Sequence, residues 1–267
     1  NEVCRLVWGS GVNDCDYVRF FGEGHIFRRN YLHGTKKEEV GPAHVDGWQT
    51  YAVNPGEYAR DILIEGNILT DFCHQGVLVS GGVRTSLIVI RNNVFAGMRN
   101  GIVVQHAREI DVCNNTLLLL ERAFPSGVGI SIGGRQSTVK IRNNIILNGI
   151  PLVTEGELRD SYGTVLTQVT GNLFRTTFKK YGLFGDKNIL CEDPLLVEAG
   201  SVVGGDGKPF TEDDGYRLMP QSPCVDRGVP IPEWADARDI VGTKRPTGRQ
   251  WDIGAWEAAE EEGDGKR

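Results

Sequence analysis

The stretches IVIRNNVF at residues 88–95 and IDVCNNTL at residues 110–117 decide the fold. In each, alternating apolar residues lead to an asparagine, and a second apolar run follows. The pattern occurs six times, with its asparagines at Asn30, Asn67, Asn93, Asn115, Asn144 and Asn172. The spacings between them are 37, 26, 22, 29 and 28 residues, with no helical stretch between the strands. We therefore expect a repeat protein whose coils stack on one another.

A second element follows the asparagines: a polar residue, a glycine and a short apolar strand. It reads Asp46-Gly47-Trp48, Gln75-Gly76-Val77, Asn100-Gly101-Ile102 and Ser126-Gly127-Val128, with a weaker form at Tyr181-Gly182-Leu183. Strands this short are not stable alone, but stacked coils give them parallel neighbours and a buried interior. In such a stack, each asparagine can hydrogen-bond to the asparagines above and below it. The repeat therefore predicts an all-β fold, a parallel β-helix.

Alternation along the strand after each polar-Gly turn predicts which side chains face the core. The inward set is Trp48, Thr50, Val77, Val79, Ile102, Val104, Val128, Ile130 and Ile132. The outward set is Gln49, Tyr51, Leu78, Ser80, Val103, Gln105, Gly129 and Ser131.

Composition narrows the function classes. The chain has 267 residues, of which 40% are hydrophobic, so it can bury a sizeable core. Its formal charge of −6 argues against nucleic acid as a partner, because phosphate binding needs a basic surface. No apolar run reaches the roughly 20 residues of a transmembrane segment. The six cysteines include no CxxC pair, and either disulfides (Cys4 with Cys15, Cys191 with Cys224) or buried free thiols would explain them.

The coils with paired asparagines resemble the right-handed parallel β-helix proteins of the pectate-lyase-like superfamily. The C-terminal part is similar to a module that often ends bacterial extracellular members. Its residues are Asp193-Pro194-Leu195-Leu196, Tyr216-Arg217-Leu218, Ser222-Pro223-Cys224-Val225-Asp226-Arg227-Gly228, Asp239-Ile240-Val241-Gly242, Arg245-Pro246 and Asp252-Ile253-Gly254-Ala255-Trp256-Glu257. The segment His44-Val45-Asp46-Gly47-Trp48-Gln49 resembles an H-x-D-G-x-Q stretch of some members.

The resemblance implies a single-stranded right-handed parallel β-helix, a solenoid with an irregular C-terminal cap. Residues 1–192 would form the coils, with a long loop near 33–60, and residues 193–257 would cover the C-terminal end of the stack. Residues 258–267 would be a flexible tail. No signal peptide opens the chain, and the resemblance implies a secreted, periplasmic or cell-surface protein. The N-terminal end has no obvious cap, so we expect further coils or another subunit of an oligomer to cover it.

The resemblance also implies a carbohydrate-active protein with a polysaccharide or oligosaccharide substrate. The superfamily contains lyases, glycoside hydrolases, epimerases, esterases and members without known activity. The segment 33–60 produces the longest spacing in the repeat, and such insertions wall a groove on the outside of a β-helix. The predicted catalytic residues are His44, Asp46, His74 and Arg99. The predicted substrate-binding residues are Gln49, Tyr51, Gln75, Asn100, Gln105 and His106.

Two reactions suit such a groove. A uronate lyase needs a cation to neutralise the sugar carboxylate, here Arg99 or calcium, and a base such as His44 or His74. A hydrolase needs two carboxyl groups roughly 5–9.5 Å apart, and Asp46 with Asp71 or Glu38 is conceivable. The missing compact acidic cluster favours the lyase. The alternative is a non-catalytic glycan-binding or cell-surface module, since Asp46, Gln75 and Asn100 share a turn position that structure alone explains.

Overall fold

The computed structural model of the protein describes residues 1–9, 11, 13–71, 73–81, 84–118, 127–133, 138–147, 150–154, 165–174, 187–191, 193–234 and 236–258. Short strands dominate these residues, together with one short helix, α1 (Lys37–Val40). The strands are β1 (Glu2–Cys4), β2 (Val18–Arg19), β3 (Gly22–Glu23), β4 (Ile26–Arg28), β5 (Tyr31–His33), β6 (Asp46–Tyr51), β7 (Ala59–Glu65), β8 (Ile68–Leu69), β9 (Gln75–Ser80), β10 (Thr85–Arg91), β11 (Val94–Ala96), β12 (Asn100–Gln105), β13 (Arg108–Cys113), β14 (Thr116–Leu118), β15 (Val128–Gly133), β16 (Thr138–Arg142), β17 (Ile145–Leu147), β18 (Ile150–Thr154), β19 (Val165–Thr170), β20 (Leu173–Phe174) and β21 (Ile189–Leu190).

The strands form three sheets in which neighbours are parallel. Sheet 1 has the order β1-β5-β8-β11-β14-β17-β20-β21, and sheet 2 has the order β19-β16-β13-β10-β7-β3, with β4 also pairing with β7. Sheet 3 has the order β18-β15-β12-β9-β6-β2. Each coil supplies one strand to each sheet, as β7, β8 and β9 illustrate, and the next coil repeats the series one strand further along. The predicted parallel β-helix is confirmed.

The asparagine ladder at the turn between sheets 2 and 1 holds the coils in register. The Nδ2 atom of Asn67 donates to Oδ1 of Asn93 at 2.9 Å, and the backbone N–H of Asn67 donates to the same oxygen at 2.9 Å. The predicted ladder members are connected in this way from coil to coil. The ladder also extends to Asn1, which donates to Asn30, and to Asn188, which accepts from Asn172. The repeat pattern missed Asn1 because no apolar run stands before it in the sequence, and Asn188 because it follows Asn172 by only 16 residues.

The predicted inward side chains form the core. The main hydrophobic cluster contains the fully buried side chains of Trp48, Val77, Val79, Ile102, Val104, Ile130 and Ile132. Thr50 is also buried, whereas Val128 is only half-buried. The prediction for the outward set is confirmed only at part of its positions. Tyr51 is 48% exposed, but Gln49, Leu78, Ser80 and Val103 are buried. Strand alternation predicts the direction of a side chain but not what covers it.

Sheet 1 buries both of its faces. Its inner positions, such as Leu69 and Phe95, belong to the main core, whereas its outer positions pack against the C-terminal segment. The outer clusters join Tyr31, Ile68, Val94, Ala96, Leu118, Ile145, Leu147 and Leu173 of the sheet to Leu196, Tyr216, Leu218, Cys224, Ile240, Ile253, Ala255 and Trp256. The consecutive apolar residues after each asparagine explain this, because a strand buried on both faces is apolar throughout.

The C-terminal segment lies along the side of the stack, and the predicted cap over the last coil stays a prediction. Asn92, Asn114 and Asn143, on three successive coils, donate to the carbonyls of Arg238 (2.6 Å), Asp252 (3.0 Å) and Val229 (2.8 Å) respectively. The physical reason is the apolar outer face of sheet 1, which extends from β5 to β20 and must be covered over that length. The predicted tail beyond residue 258 lies outside the described residues.

The six cysteines are free thiols. Cys73, Cys113 and Cys224 are buried, whereas Cys4 is exposed and Cys15 and Cys191 are half-buried. The buried-thiol interpretation therefore fits three of them. Within the part of the chain that the structure describes, no helix has the length and apolarity to cross a membrane.

Candidate functional site

The polar-Gly turns bring one residue from each coil into a column at the start of sheet 3. Asp46 is in register with Gln75, and Gln75 with Asn100. A β-carbon on Gly47 would lie 2.5 Å from the carbonyl oxygen of the next coil's Gly76, and one on Gly76 would lie 2.7 Å from that of Gly101. The glycines are therefore required by the close stacking of the turns.

Side-chain oxygens in this column accept backbone hydrogen bonds from the next coil. Asp16 accepts from Asp46 N at 3.0 Å, Asp46 accepts from Gln75 N at 3.1 Å, and Asn100 accepts from Val128 N at 3.1 Å. The column thus has a structural role, as the turn interpretation predicted. An amide oxygen can fill that role as well as a carboxylate, as Asn100 shows. The presence of acids at one end of the column, Asp16 and Asp46, therefore needs a further explanation.

Asp46 is a buried carboxyl group surrounded by donors. Its side chain is fully buried, Gln49 Nε2 donates to its Oδ2 at 2.9 Å, and the side-chain amide of Gln75, oriented to satisfy its contacts, also donates to it. Burial, and next the nearby charge of Asp16, raise the pKa of Asp46 to about 8, against the lowering effect of these hydrogen bonds. Burial likewise raises the pKa of Asp16. One carboxyl group of the pair therefore keeps a proton near neutral pH.

His44 lies at the exposed edge of this cluster. Its side chain is 37% exposed, and its Nδ1 lies 3.5 Å from Asp46 Oδ2 and 3.8 Å from Asp14 Oδ1. Its Nε2 accepts a hydrogen bond from the Gln75 amide at 3.1 Å. This arrangement favours the tautomer with the proton on Nδ1, facing the carboxyl groups, and a basic lone pair on Nε2.

His74 supports His44 from the next coil. The two rings are stacked, with centroids 4.7 Å apart and planes 10° from parallel. The Nδ1 atom of His74 accepts from the backbone N–H of Val45 at 3.0 Å. Burial, and then the charges of His44, Arg99 and Lys37, lower the pKa of His74 to about 4. His74 is therefore neutral near pH 7 and positions the loop that carries His44.

Three site residues were missed by sequence reasoning: Asp14, Asp16 and Arg19. A single nitrogen of Arg19, Nη2, donates to Asp14 Oδ2 and Asp16 Oδ2 at 2.8 Å each, and to the Gln49 side-chain oxygen. The Asp16 side chain is 3% exposed, whereas those of Asp14 and Arg19 are 45% and 42% exposed. The sequence does carry a pattern that could have identified them, Asp-x-Asp-x-x-Arg at 14–19, one coil before Asp46. This pattern precedes Asn30, the first of the repeated asparagines.

The donor set does not fit calcium. Asp14, Asp16 and His44 each offer one atom, and these atoms lie within 4.8 Å of one another. Calcium takes six to eight oxygen ligands, whereas an imidazole nitrogen suits transition metals. The guanidinium of Arg19 also bridges the two carboxylates and supplies the positive charge that a cation would bring. We derive no chemical step through calcium.

The remaining predicted residues divide into two groups. Arg99 is exposed and close enough to His74 to lower its pKa, and Asn100 is half-buried in the column. Tyr51 and Gln105, with His106 directly after, are at the far ends of β6 and β12, and both strand ends pair with Ser80. Five residue steps along an extended strand cover roughly 17 Å. The structure therefore separates Tyr51, Gln105 and His106 from the cluster at His44, and their predicted role in substrate binding stays a prediction.

Comparison with known proteins agrees with this architecture. The family model for the right-handed β-helix region matches residues 27–184, more than half of the chain. The chain therefore belongs to this family of right-handed β-helix proteins. Its β-helix domain fits carbohydrate-active β-helix proteins as a broad group. No curated protein matches the chain.

Proposed function

We propose that this right-handed β-helix protein cleaves an acidic polysaccharide by β-elimination, at the exposed surface around His44. The observation that carries the proposal is the order of groups from surface to interior. The guanidinium of Arg19, the imidazole of His44 and the carboxylate of Asp14 are partly exposed. The buried acids Asp16 and Asp46 lie behind them. The accessible groups are those that a uronate lyase needs.

Each exposed group has a distinct part in the reaction. The Arg19 guanidinium pairs with the uronate carboxylate and stabilises the negative charge that develops beside it. The Gln75 amide leaves His44 Nε2 when the substrate binds and keeps Asp46 as its acceptor. His44 Nε2 then takes the proton from C5, the electron pair forms the C4–C5 double bond, and the bond from C4 to the glycosidic oxygen breaks. The leaving oxygen takes its proton from the imidazolium so formed. Asp14, whose carboxylate faces Nδ1, stabilises that imidazolium, whereas the buried Asp46 acts as a positioning residue behind His44.

Hydrolysis is less well supported because it needs two carboxyl groups that reach the glycosidic bond from opposite sides. Asp46 has the raised pKa of a general acid, but its side chain has no exposed surface. Asp16 is 3% exposed and is held by Arg19. Of the carboxyl groups in the cluster, only Asp14 is accessible to a substrate.

A non-catalytic glycan-binding module is the second candidate. The observation that favours it is the structural use of the whole column, in which Asp16, Asp46 and Asn100 accept backbone hydrogen bonds whether or not chemistry occurs. In that case the exposed Arg19 would bind sugar carboxylates without turnover.

A panel of polyuronates and neutral polysaccharides tests the two candidates. The lyase releases unsaturated products that absorb in the ultraviolet, whereas a hydrolase releases reducing ends without that absorbance. We expect His44→Ala to lower kcat by about 100-fold or more, the usual contribution of a general base. The control is His25→Ala, which removes an exposed histidine on another part of the stack. Turnover on no polymer, or full activity of His44→Ala, would refute the proposal.

A further inference from the structure

A second cleft lies between the coils and the C-terminal segment, on the side of sheet 2. It encloses about 300 Å³, and strands β4, β7 and β10 form one wall, while residues 236–242 form the other. Its volume is at the lower end of the range for small-molecule sites, about 300–1,000 Å³. None of the residues of the His44 cluster lines it.

Four arginines line this cleft in a protein whose net charge is negative: Arg28, Arg29, Arg91 and Arg238. Arg28 and Arg91 share a single carboxylate. Nε of Arg28 donates to one oxygen of Glu65 and Nε of Arg91 to the other, each at 2.6 Å. One negative charge therefore compensates two positive charges on this wall.

The acidic residues on the opposite wall reduce the excess positive charge of the cleft but do not cancel it. Asp239 is engaged by its own segment, since its Oδ1 accepts the backbone N–H groups of Val241, Gly242 and Thr243. Its Oδ2 accepts a further N–H from Glu257. Asp236 is the third acidic residue in the lining, against four arginines.

The arginines retain donors for a ligand. Arg28 uses Nε for Glu65, and among the described residues its two terminal nitrogens have no hydrogen-bond partner. Arg238 uses Nη1 for the carbonyl of Gly242 at 2.8 Å, and its Nη2 has no such partner within the same residues. The side chain of Arg28 is 52% exposed and Arg238 is also exposed, so both can turn toward a bound anion.

We infer that this cleft binds the oxyanion groups of an acidic saccharide, separately from the His44 site. A guanidinium matches a carboxylate or a sulfate with two parallel hydrogen bonds. Arg28, Glu65 and Arg91 are in register on neighbouring strands, so the two arginines start roughly 10 Å apart along the stack. Their guanidinium groups converge on Glu65, so the cleft presents them together to an oxyanion group of the ligand. The choice of a saccharide rests on the proposed function, whereas the anion site rests on the cleft itself.

Calorimetric titration of the full chain tests this inference. The titrants are an oligogalacturonate, a sulfated oligosaccharide of the same length, a neutral oligosaccharide and inorganic phosphate. All variants carry His44→Ala as well, so that turnover does not disturb the heats. The cleft variant is Arg28→Gln with Arg238→Gln. The matched control is Arg60→Gln, an exposed arginine of β7 that pairs with Glu23 outside the cleft.

We expect an acidic oligosaccharide to bind and the cleft variant to weaken its Kd by about tenfold or more per guanidinium, with the control unchanged. A preference for the carboxylated or the sulfated titrant identifies the oxyanion, and either supports the inference. Equal binding of cleft variant and control, or phosphate as tight as the oligosaccharides, would overturn it. Calorimetry measures binding and not turnover. A cleft that binds no saccharide would therefore leave the lyase proposal standing, and an absence of lyase activity would leave the anion-binding cleft standing.

Discussion

Asn115 in the middle of the asparagine ladder offers the sharpest test of what holds the coils together. Its side chain is fully buried and makes four hydrogen bonds of 2.9–3.0 Å. Its oxygen accepts from the backbone N–H and the side-chain amide of Asn93. Its own amide donates to the carbonyl of Ile90 and to the side-chain oxygen of Asn144. The perturbation is Asn115→Ala, which removes all four bonds.

The expected loss follows from which partners keep another contact. The Asn93 amide still donates to the carbonyl of Ile64, and the Asn144 oxygen still accepts from the backbone of residue 115. The backbone N–H of Asn93 is left buried without its acceptor, which costs about 1–3 kcal/mol, and the other bonds contribute about 1 kcal/mol each. We therefore expect the free energy of unfolding to fall by roughly 4–6 kcal/mol.

Urea unfolding followed by circular dichroism measures this loss. The matched control is Asn1→Ala, in the same ladder but exposed at its end, with an expected change under about 0.5 kcal/mol. Asn115→Asp keeps the side-chain volume but places an oxygen against two acceptors, so it should be at least as destabilising as alanine. Equal midpoints for Asn115→Ala and Asn1→Ala, or a tolerated aspartate, would show that the ladder does not stabilise the stack.

Three further predictions follow from the column and the site. Gly101→Ala places a β-carbon 2.5 Å from the carbonyl oxygen of Gly129 on the next coil. We expect it to lower the free energy of unfolding by about 1–3 kcal/mol or more in the same assay. Gly9→Ala, which has open space around it, should leave that free energy unchanged, and equal effects of the two variants would contradict the close stacking. Because the folded pKa of Asp46 is raised to about 8, the folded state holds an extra proton between about pH 4 and 8, so stability falls as pH rises through that window. In Asp46→Asn this fall should be absent, so the free energy of unfolding of the variant should rise relative to that of the wild type from about pH 5 to 8. If the free energies of variant and wild type change in parallel with pH, Asp46 is ionised in the folded state. Finally, we expect the rate of uronate cleavage to be unchanged in EDTA, because the Arg19 guanidinium supplies the positive charge. If EDTA abolishes the activity and added metal restores it, the proposed role of Arg19 is refuted.

The repeat allowed much of the site to be predicted because coils in register turn a spacing in sequence into contact in space. His44, Asp46, Gln49, His74 and Gln75 were predicted together and do lie together. Asp14, Asp16 and Arg19 were missed because the coil that carries them precedes the first repeated asparagine used to set the register.

The predictions that differed from the structure share one physical cause, the three-dimensional extent of an element. Tyr51, Gln105 and His106 are on the expected sheet, but the length of the strands removes them from His44. The C-terminal segment packs on the apolar outer face of sheet 1, a contact that the repeat pattern did not predict.

The order of apolar residues, asparagines and glycines determined by itself the β-helix, its coils and its register, because these depend on local alternation and on identical positions stacking. Tertiary structure alone decided how deeply each acid is buried, which guanidinium meets which carboxylate, and what covers each face. Those properties depend on the solvent exposure and electrostatic field produced by residues from separate coils and from the C-terminal segment, and a pattern along the chain does not record them.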